Sequence, residues 1–271
     1  MDKVQDWYDN CYDEWERLSR HRIEFDITKK YMDEYIEGKG LNIFDIGGGP
    51  GRYSFYLADK GHHVSLLDIS SKNIKTAKEK SAEAGVKLVA YIHADAKDLS
   101  LYGKDFDVIL LMGPLYHIVS EDERMSVLKQ AIIHLKPGGI IFASFISKYA
   151  PIQDYLKGLH HIDDTEQIIR YLKDGANSPE NGFTTAYFWS PCEARKFMAD
   201  AGLEELAFAG VENILCSKEN EVNALEEEEY KKWLDYATSL ANTAIFLAAA
   251  NIFFMWGGNA YRKVHRHRQN S

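Results

Sequence analysis

Asp45, Gly47, Gly49 and Gly51 recur at alternate positions, and a second acid, Asp68, closes the next apolar run. Glycine leaves the main chain bare and reaches backbone angles closed to other residues, so a ligand can lie against the amides. A carboxylate roughly 20 residues beyond such a bend can accept hydrogen bonds from the hydroxyls of a ribose. Bonds from a hydroxyl to a carboxylate are short, about 2.5–2.7 Å. These residue types in this order specify a ligand built on a nucleoside.

The bend must sit at the end of a strand for this chemistry to work. Five short apolar runs predict strands at Asn42–Ile46, His63–Asp68, Leu88–Ala94, Phe106–Met112 and Ile140–Ile146. Each is rich in Ile, Val, Leu and Phe with little polar alternation, as in parallel strands covered on both faces. Helical patterns over Arg52–Lys60, Ser71–Ala84 and Asp122–Leu135 separate them. Gly61 and Gly85 follow the first two, where helices tend to stop. Pro137-Gly138-Gly139 turns the third into the next strand. This β-α-β order gives right-handed crossovers and an α/β fold with a doubly wound, mostly parallel sheet. Gly47–Gly51 then falls at the carboxyl end of the first strand, where such sheets bind ligands.

The glycine spacing does not suit a dinucleotide. G-x-G-x-x-G counted from Gly49 would need glycine or alanine where Ser54 stands, and counted from Gly47 it meets Arg52. That disfavours a nucleotide-dependent oxidoreductase. Asp45-x-Gly47-x-Gly49-x-Gly51 followed by Asp68 instead resembles motif I of the class I S-adenosylmethionine-dependent methyltransferases. "HADAKDL" (93–99), "DVILLMGPLYHI" (107–118) and "LKPGGIIFASF" (135–145) extend the resemblance, in order, across residues 41–146.

The resemblance implies S-adenosylmethionine as cofactor and a Rossmann-like sheet of seven strands with a reversed last strand. It assigns Asp45 and the Gly47–Gly51 backbone to the methionine portion, and Asp68 with Ile69 to the ribose. Asp95 would bond the adenine amino group, with Ala96 beside the ring, and Met112 and Gly113 would border the methionine. "RHRIEF" and "GPLYHI" resemble bacterial small-molecule methyltransferases in particular.

Methyl transfer from a sulfonium needs in-line positioning, worth about 7–11 kcal/mol, with a base only for acceptors that carry a high-pKa proton. Tyr116 and His117 leave the fourth strand where the acceptor would lie, and His117 could act as the base, since free histidine titrates near pH 6.5. Packing under the following helix is the other reading of His117. Tyr8, Tyr12, Arg20 and Glu24 from the N-terminal segment, and Tyr149 from a later insert, are the acceptor-side candidates. His160 and His161 in that insert read more readily as surface.

Residues 1–37 read as a cap of two helices, with Trp7, Cys11, Trp15 and Leu18 on one face. The catalytic domain is expected over 38–271, with a lid-like insert at about 147–187. Ser190, Pro191 and Glu193 start a helix with a capping box. Strands are expected at 203–211 and 251–256, around an acidic helix from about Glu226.

The net charge of −9 disfavours nucleic acid, since the basic "YRKVHRHRQNS" is confined to the tail and reads as a solvated end. "N/D-P-P-Y/F", common in nitrogen methylation of adenine or glutamine, is replaced by "MGPLYH", and a small-molecule acceptor is favoured. A protein or RNA acceptor, or a non-catalytic cofactor-binding module, are the alternatives. Three distant cysteines without CxxC spacing fit a reducing, cytoplasmic setting without a metal site or disulfide framework. Ala241–Trp256 is too short and polar for a membrane span. The oligomeric state is left open.

Overall fold

The computed structural model describes residues 2–153, 165–181, 183–212, 215, 218–244, 247, 250 and 252–259. The expected strands form at β1 (Asn42–Ile46), β2 (His63–Asp68), β3 (Ala90–His93), β4 (Phe106–Leu111) and β5 (Leu135–Ile146). Later come a short hairpin, β6 (Ala176–Asn177) and β7 (Ala186–Tyr187), then β8 (Leu203–Glu212) and β9 (Ile252–Asn259). One seven-stranded sheet has the order β3-β2-β1-β4-β5-β9-β8, and β9 runs antiparallel to both neighbours. The reversed last strand is therefore present.

Helices α4 (Arg52–Asp59), α5 (Ser71–Ala84) and α6 (Glu121–His134) make the crossovers of the parallel half. Ser70 caps α5 by accepting from Asn73 N, and Gly85 ends it in the left-handed conformation. The core lies on both faces of the sheet. Ile43, Val64 and Leu66 belong to one cluster, and Phe44, Leu67 and Ile109 to the other. Adjacent strand residues thus point to opposite, equally buried sides, which is why the runs show no polar alternation. α8 (Pro191–Asp200) begins with the expected capping box of Ser190 and Glu193.

The N-terminal segment departs from the two expected helices. It is broken into α1 (Lys3–Asp6), a π-helical turn over Trp7–Cys11, α2 (Glu14–Arg20) and α3 (Arg22–Tyr35). The break has a local cause: the Asp13 side chain accepts from Glu16 N and restarts the helix. Trp7, Cys11, Trp15 and Leu18 therefore share no continuous helical face, and Cys11 is exposed. α3 packs against β8 and α10 (Glu227–Leu240), with the Arg22 guanidinium 3.6 Å from the Tyr230 ring centroid. The insert contains α7 (Thr165–Asp174) and the β6–β7 hairpin. His160, His161 and the basic tail lie outside the described residues. No helix among the described residues is long and apolar enough to cross a membrane.

Backbone proximity explains several glycines. A Cβ on Gly48 would stand 2.4 Å from Asp45 Cγ and from Leu66 Cδ1. A Cβ on Gly113 would stand 2.6 Å from the Gly47 carbonyl oxygen, so the loops after β1 and β4 meet main chain to main chain. Gly113→Ala must push them apart. Overpacking of this kind costs about 1–3 kcal/mol, and the expected outcome is a lower urea midpoint with an unchanged m-value. An unaltered midpoint would show that the loops yield freely.

Candidate functional site

The carboxyl ends of β1, β2 and β4 and the N-terminal segment enclose one cleft of about 1140 Å³, open mouth included. On its floor the bend after β1 curls back on β2. Gly47 and Gly48 both donate to the Leu67 carbonyl, at 2.7 and 3.2 Å. Gly49 (φ +57°) and Gly51 (φ +87°) occupy the left-handed region. A Cβ on Gly49 would meet nothing nearer than Glu14 Cγ at 3.6 Å, so this position is bare toward the cleft.

Asp68 sits beside the bend. Its Oδ2 accepts from Gly49 N at 2.8 Å, and its Oδ1 accepts from Ser70 N at 2.8 Å and Asn73 Nδ2 at 3.2 Å. Burial pushes its pKa above the ordinary value, and these three donors oppose the shift. Each carboxylate oxygen has two lone-pair directions, so acceptor capacity is left over. Asp45 is deeper. Its Oδ2 accepts from the Ser54 hydroxyl at 2.7 Å, and burial pushes its carboxyl up to about 7.

On the opposite wall Tyr8, Tyr116 and His117 come together. His117 Nδ1 lies 3.0 Å from the Thr185 carbonyl, which can only accept, so this nitrogen carries the proton. Nε2 is then an acceptor and takes the Tyr8 hydroxyl proton at 2.9 Å. Burial pulls the His117 pKa down to about 4, so the ring is neutral near pH 7. Burial pushes the Tyr8 and Tyr116 phenols up, so both remain protonated. Phe183 stands 6.1 Å from the His117 ring and 6.2 Å from Trp7, so the insert and the N-terminal segment meet here.

Thirteen residues expected from the sequence line this cleft: Asp45, Gly47, Gly49, Asp68, Ile69, Asp95, Ala96, Met112, Gly113, Tyr116, His117, Tyr8 and Glu24. Gly51 does not line it. A Cβ there would meet Phe55 Cζ at 3.1 Å, so Gly51 serves the entry to α4. Tyr12 stacks on Trp7 at 5.8 Å, outside the lining. Arg20 is exposed on the far side of α2, and Tyr149 is 43% exposed at the start of the insert. Neither is part of the lining.

Glu14, Arg17, Arg52 and Tyr53 also line the cleft and were missed from sequence. Arg17 Nη1 donates to Glu14 Oε1 at 3.1 Å. Burial alone would lower the Arg17 pKa, but Glu14 and Glu24 raise it, so the guanidinium stays charged. Arg52 donates to the Leu18 carbonyl and lies 3.9 Å over the Phe25 ring, which fastens α2 above the bend. An opposite-charge pair at i, i+3 beside Tyr8 and Tyr12 is the signal that could have flagged Glu14 and Arg17.

These residues fit S-adenosylmethionine. Six carboxyl residues line the cleft (Asp2, Glu14, Glu24, Asp45, Asp68, Asp95) against Arg17, Arg52 and Lys97. That balance suits a ligand with an ammonium, a sulfonium and a ribose diol. The bare position at Gly49 beside an acid with spare acceptor capacity suits the diol. Residues 43–139 match a family model described as a methyltransferase domain. Across residues 43–139 the chain is thus a methyltransferase domain of the kind the sequence resemblance implied.

The methyltransferase has relatives along most of its length. It is 27% identical over 217 residues to a ubiquinone biosynthesis O-methyltransferase of Rickettsia canadensis, covering 80% of this chain and 85% of that protein. A protein of the same name from Caulobacter vibrioides is 33% identical over 163 residues, 59% of this chain and 58% of that one. Among solved structures, magnesium protoporphyrin IX methyltransferase from Synechocystis, with bound S-adenosylhomocysteine, superposes with a TM-score of 0.58. It is 15% identical and covers 95% of this chain and 98% of that one, a likeness of fold. The methyltransferase is thus an enzyme that uses S-adenosylmethionine.

Asp45 links the site to stability. Its folded pKa of about 7 lies above the ordinary 3.8, so the folded ligand-free enzyme holds a proton that the unfolded chain has lost between these values. Stability from this group therefore falls as pH rises from about 4 to 7. Asp45→Asn is expected to flatten the change in Tm between pH 5 and 7.5 relative to the parent. Equal slopes in both proteins would exclude an uncharged Asp45.

Proposed function

We propose that this methyltransferase methylates an oxygen of a small phenolic acceptor, held between a cap of residues 1–37 and the loop after β4. When bound, S-adenosylmethionine supplies a methyl group already activated on a positive sulfonium. The chain's own work is to align the acceptor, exclude water and manage one proton. Arg17 would meet the cofactor's carboxylate, Asp45 and Glu14 its ammonium, Asp68 its ribose diol and Asp95 its adenine. The insert at about 147–187 closes the site through the Thr185 carbonyl.

The Tyr8–His117 bond of 2.9 Å carries the reading. The Tyr8 hydroxyl donates to Nε2, and its oxygen can still accept from an acceptor hydroxyl in the cleft. A proton can then pass from acceptor to Tyr8 while the Tyr8 proton passes to His117. His117, pulled down to about 4, is a weak base. A phenol near 10 lies about 6 units above it, a mismatch of roughly 8 kcal/mol, and aliphatic alcohols lie further still. The pair therefore suits an acidic hydroxyl. Tyr53 and Tyr116 add aromatic wall. The related proteins are named for O-methyl transfer in ubiquinone biosynthesis, which supports oxygen as the atom methylated. Exposed free Cys11 and Cys192 support a cytoplasmic setting.

The test uses labelled S-adenosylmethionine with matched panels of catechols, phenols, amines and thiols. Labelled aryl ether is expected from the phenols and catechols, and label only in amines or thiols would refute an oxygen acceptor. Tyr8→Phe and His117→Ala are each expected to lower kcat by about 10²-fold while leaving the Kd for S-adenosylhomocysteine within about twofold. Unchanged kcat in both would remove the relay. Asp68→Ala is expected to weaken S-adenosylhomocysteine by at least about tenfold, as calorimetry would read, because charge-assisted bonds are lost. Retained affinity would move the ribose elsewhere.

A further inference from the structure

Against the cleft, and sharing Glu24 with its lining, lies a second cluster whose other members the methyl-transfer reading does not use. His21 joins α2 to α3, Glu24 lies in the first turn of α3, and Glu212 ends β8. Glu219 opens a short helix, α9 (Glu219–Asn223). His21 Nδ1 stands 2.8 Å from Glu212 Oε1 and 2.9 Å from Glu219 Oε1. Despite these distances neither oxygen lies along the ring N–H axis, and Nδ1 makes no directed hydrogen bond among the described residues. Donor atoms of His21, Glu24 and Glu212 all lie within 4.8 Å of one another. Glu24 is 6% exposed, and its Oε2 has no hydrogen-bond partner among the described residues.

An unpartnered oxygen on a buried carboxylate is costly. The nearby cations are engaged elsewhere, Arg17 with Glu14 and Arg52 with the Leu18 carbonyl. Oxygens that flank a ring nitrogen, off its axis, are arranged as donors around one centre. With metal–nitrogen and metal–oxygen bonds near 2.0–2.2 Å, neighbouring donors in one shell sit roughly 2.9–3.5 Å apart. The two contacts, 2.8 and 2.9 Å, lie just below and at the short end of that range. Imidazole with carboxylates selects Zn²⁺, Mn²⁺ or a similar ion over Mg²⁺ and Ca²⁺, which prefer all-oxygen sets.

We propose that His21, Glu24 and Glu212, with Glu219 as a fourth donor, bind one divalent transition-metal ion. The ion ties the N-terminal segment to the end of β8. With four protein donors the set is closed and structural, without an open position for substrate. Sequence inspection could not find it, because the donors come from two segments about 190 residues apart and include no cysteine pair. Without an ion the same carboxylates retain a proton on His21. Burial would lower its pKa, but Glu212 and Glu219 raise it to about 9.

The test uses the full chain stripped with a chelator. Titration with Mn²⁺ is expected to give one site, with histidine-nitrogen modulation in the electron spin echo. Zn²⁺ is expected to raise Tm by several degrees, where equal Mg²⁺ does not. His21→Gln and Glu212→Gln are expected to weaken Mn²⁺ at least tenfold. Their binding of S-adenosylhomocysteine, retained, shows that the fold survives. No Mn²⁺ binding by the parent, binding without nitrogen modulation, or equal binding by both variants would overturn the site and leave a protonated histidine between carboxylates.

Discussion

One carboxylate holds the ligand floor together. Asp68 bonds the amide of Gly49 with one oxygen, and the amide of Ser70 and the amide side chain of Asn73 with the other. It thus joins the bend after β1, the end of β2 and the start of α5. Gly49 can present its N–H in this direction because its φ is +57°, which a side chain would strain. The same acid that organises the floor also lines the cleft. Burial and hydrogen bonding act on its charge in opposite directions, and the three donors are what keep an ionised form accessible there.

The cleft is built as a container for positive charge. Carboxyl residues from β1, β2, the loop after β3, α2 and α3 converge on it, and two arginines are arranged around their edge. Catalysis by positioning needs little more than this, because a sulfonium becomes neutral as its methyl leaves. The acceptor wall is different in kind. There a neutral histidine, locked in one tautomer by Thr185, faces a tyrosine hydroxyl. The two walls thus differ in chemistry: one gathers carboxyl groups, and the other presents a hydrogen-bonded tyrosine–histidine pair.

What was legible in the sequence was local. β1 and β2 begin and end where the apolar runs do, and α5 and α8 start at side-chain caps written in three or four residues. Most residues expected on the cofactor side line the cleft because motif spacing fixes them relative to strand ends. The N-terminal segment was misread as two helices, although Asp13 with Glu16 carries a cap signal that breaks it. Glu14 and Arg17 carry only an i, i+3 charge pair as a signal, and it takes the tertiary path of α2 to place Glu14 over Gly49 and Arg17 in the lining. The state of His117 was equally hidden, since it depends on a carbonyl 68 positions away in the chain. Arg20 and Tyr149 carried suitable chemistry, but their elements point them outward.

The π-helical turn at Trp7–Cys11 is anchored from outside itself. Asp9 Oδ1 accepts from the Ser70 hydroxyl at 2.6 Å and from Lys72 N at 3.0 Å, so a residue of the cap closes the amino end of α5. At its other end the segment is fixed by His21 and by Arg52 beneath Leu18. The stretch between these moorings works as a bridge whose abutments are set by the sheet while its span is free to diverge. New acceptor preferences could therefore arise by changing the residues of the span, with the nucleoside seat inherited unaltered.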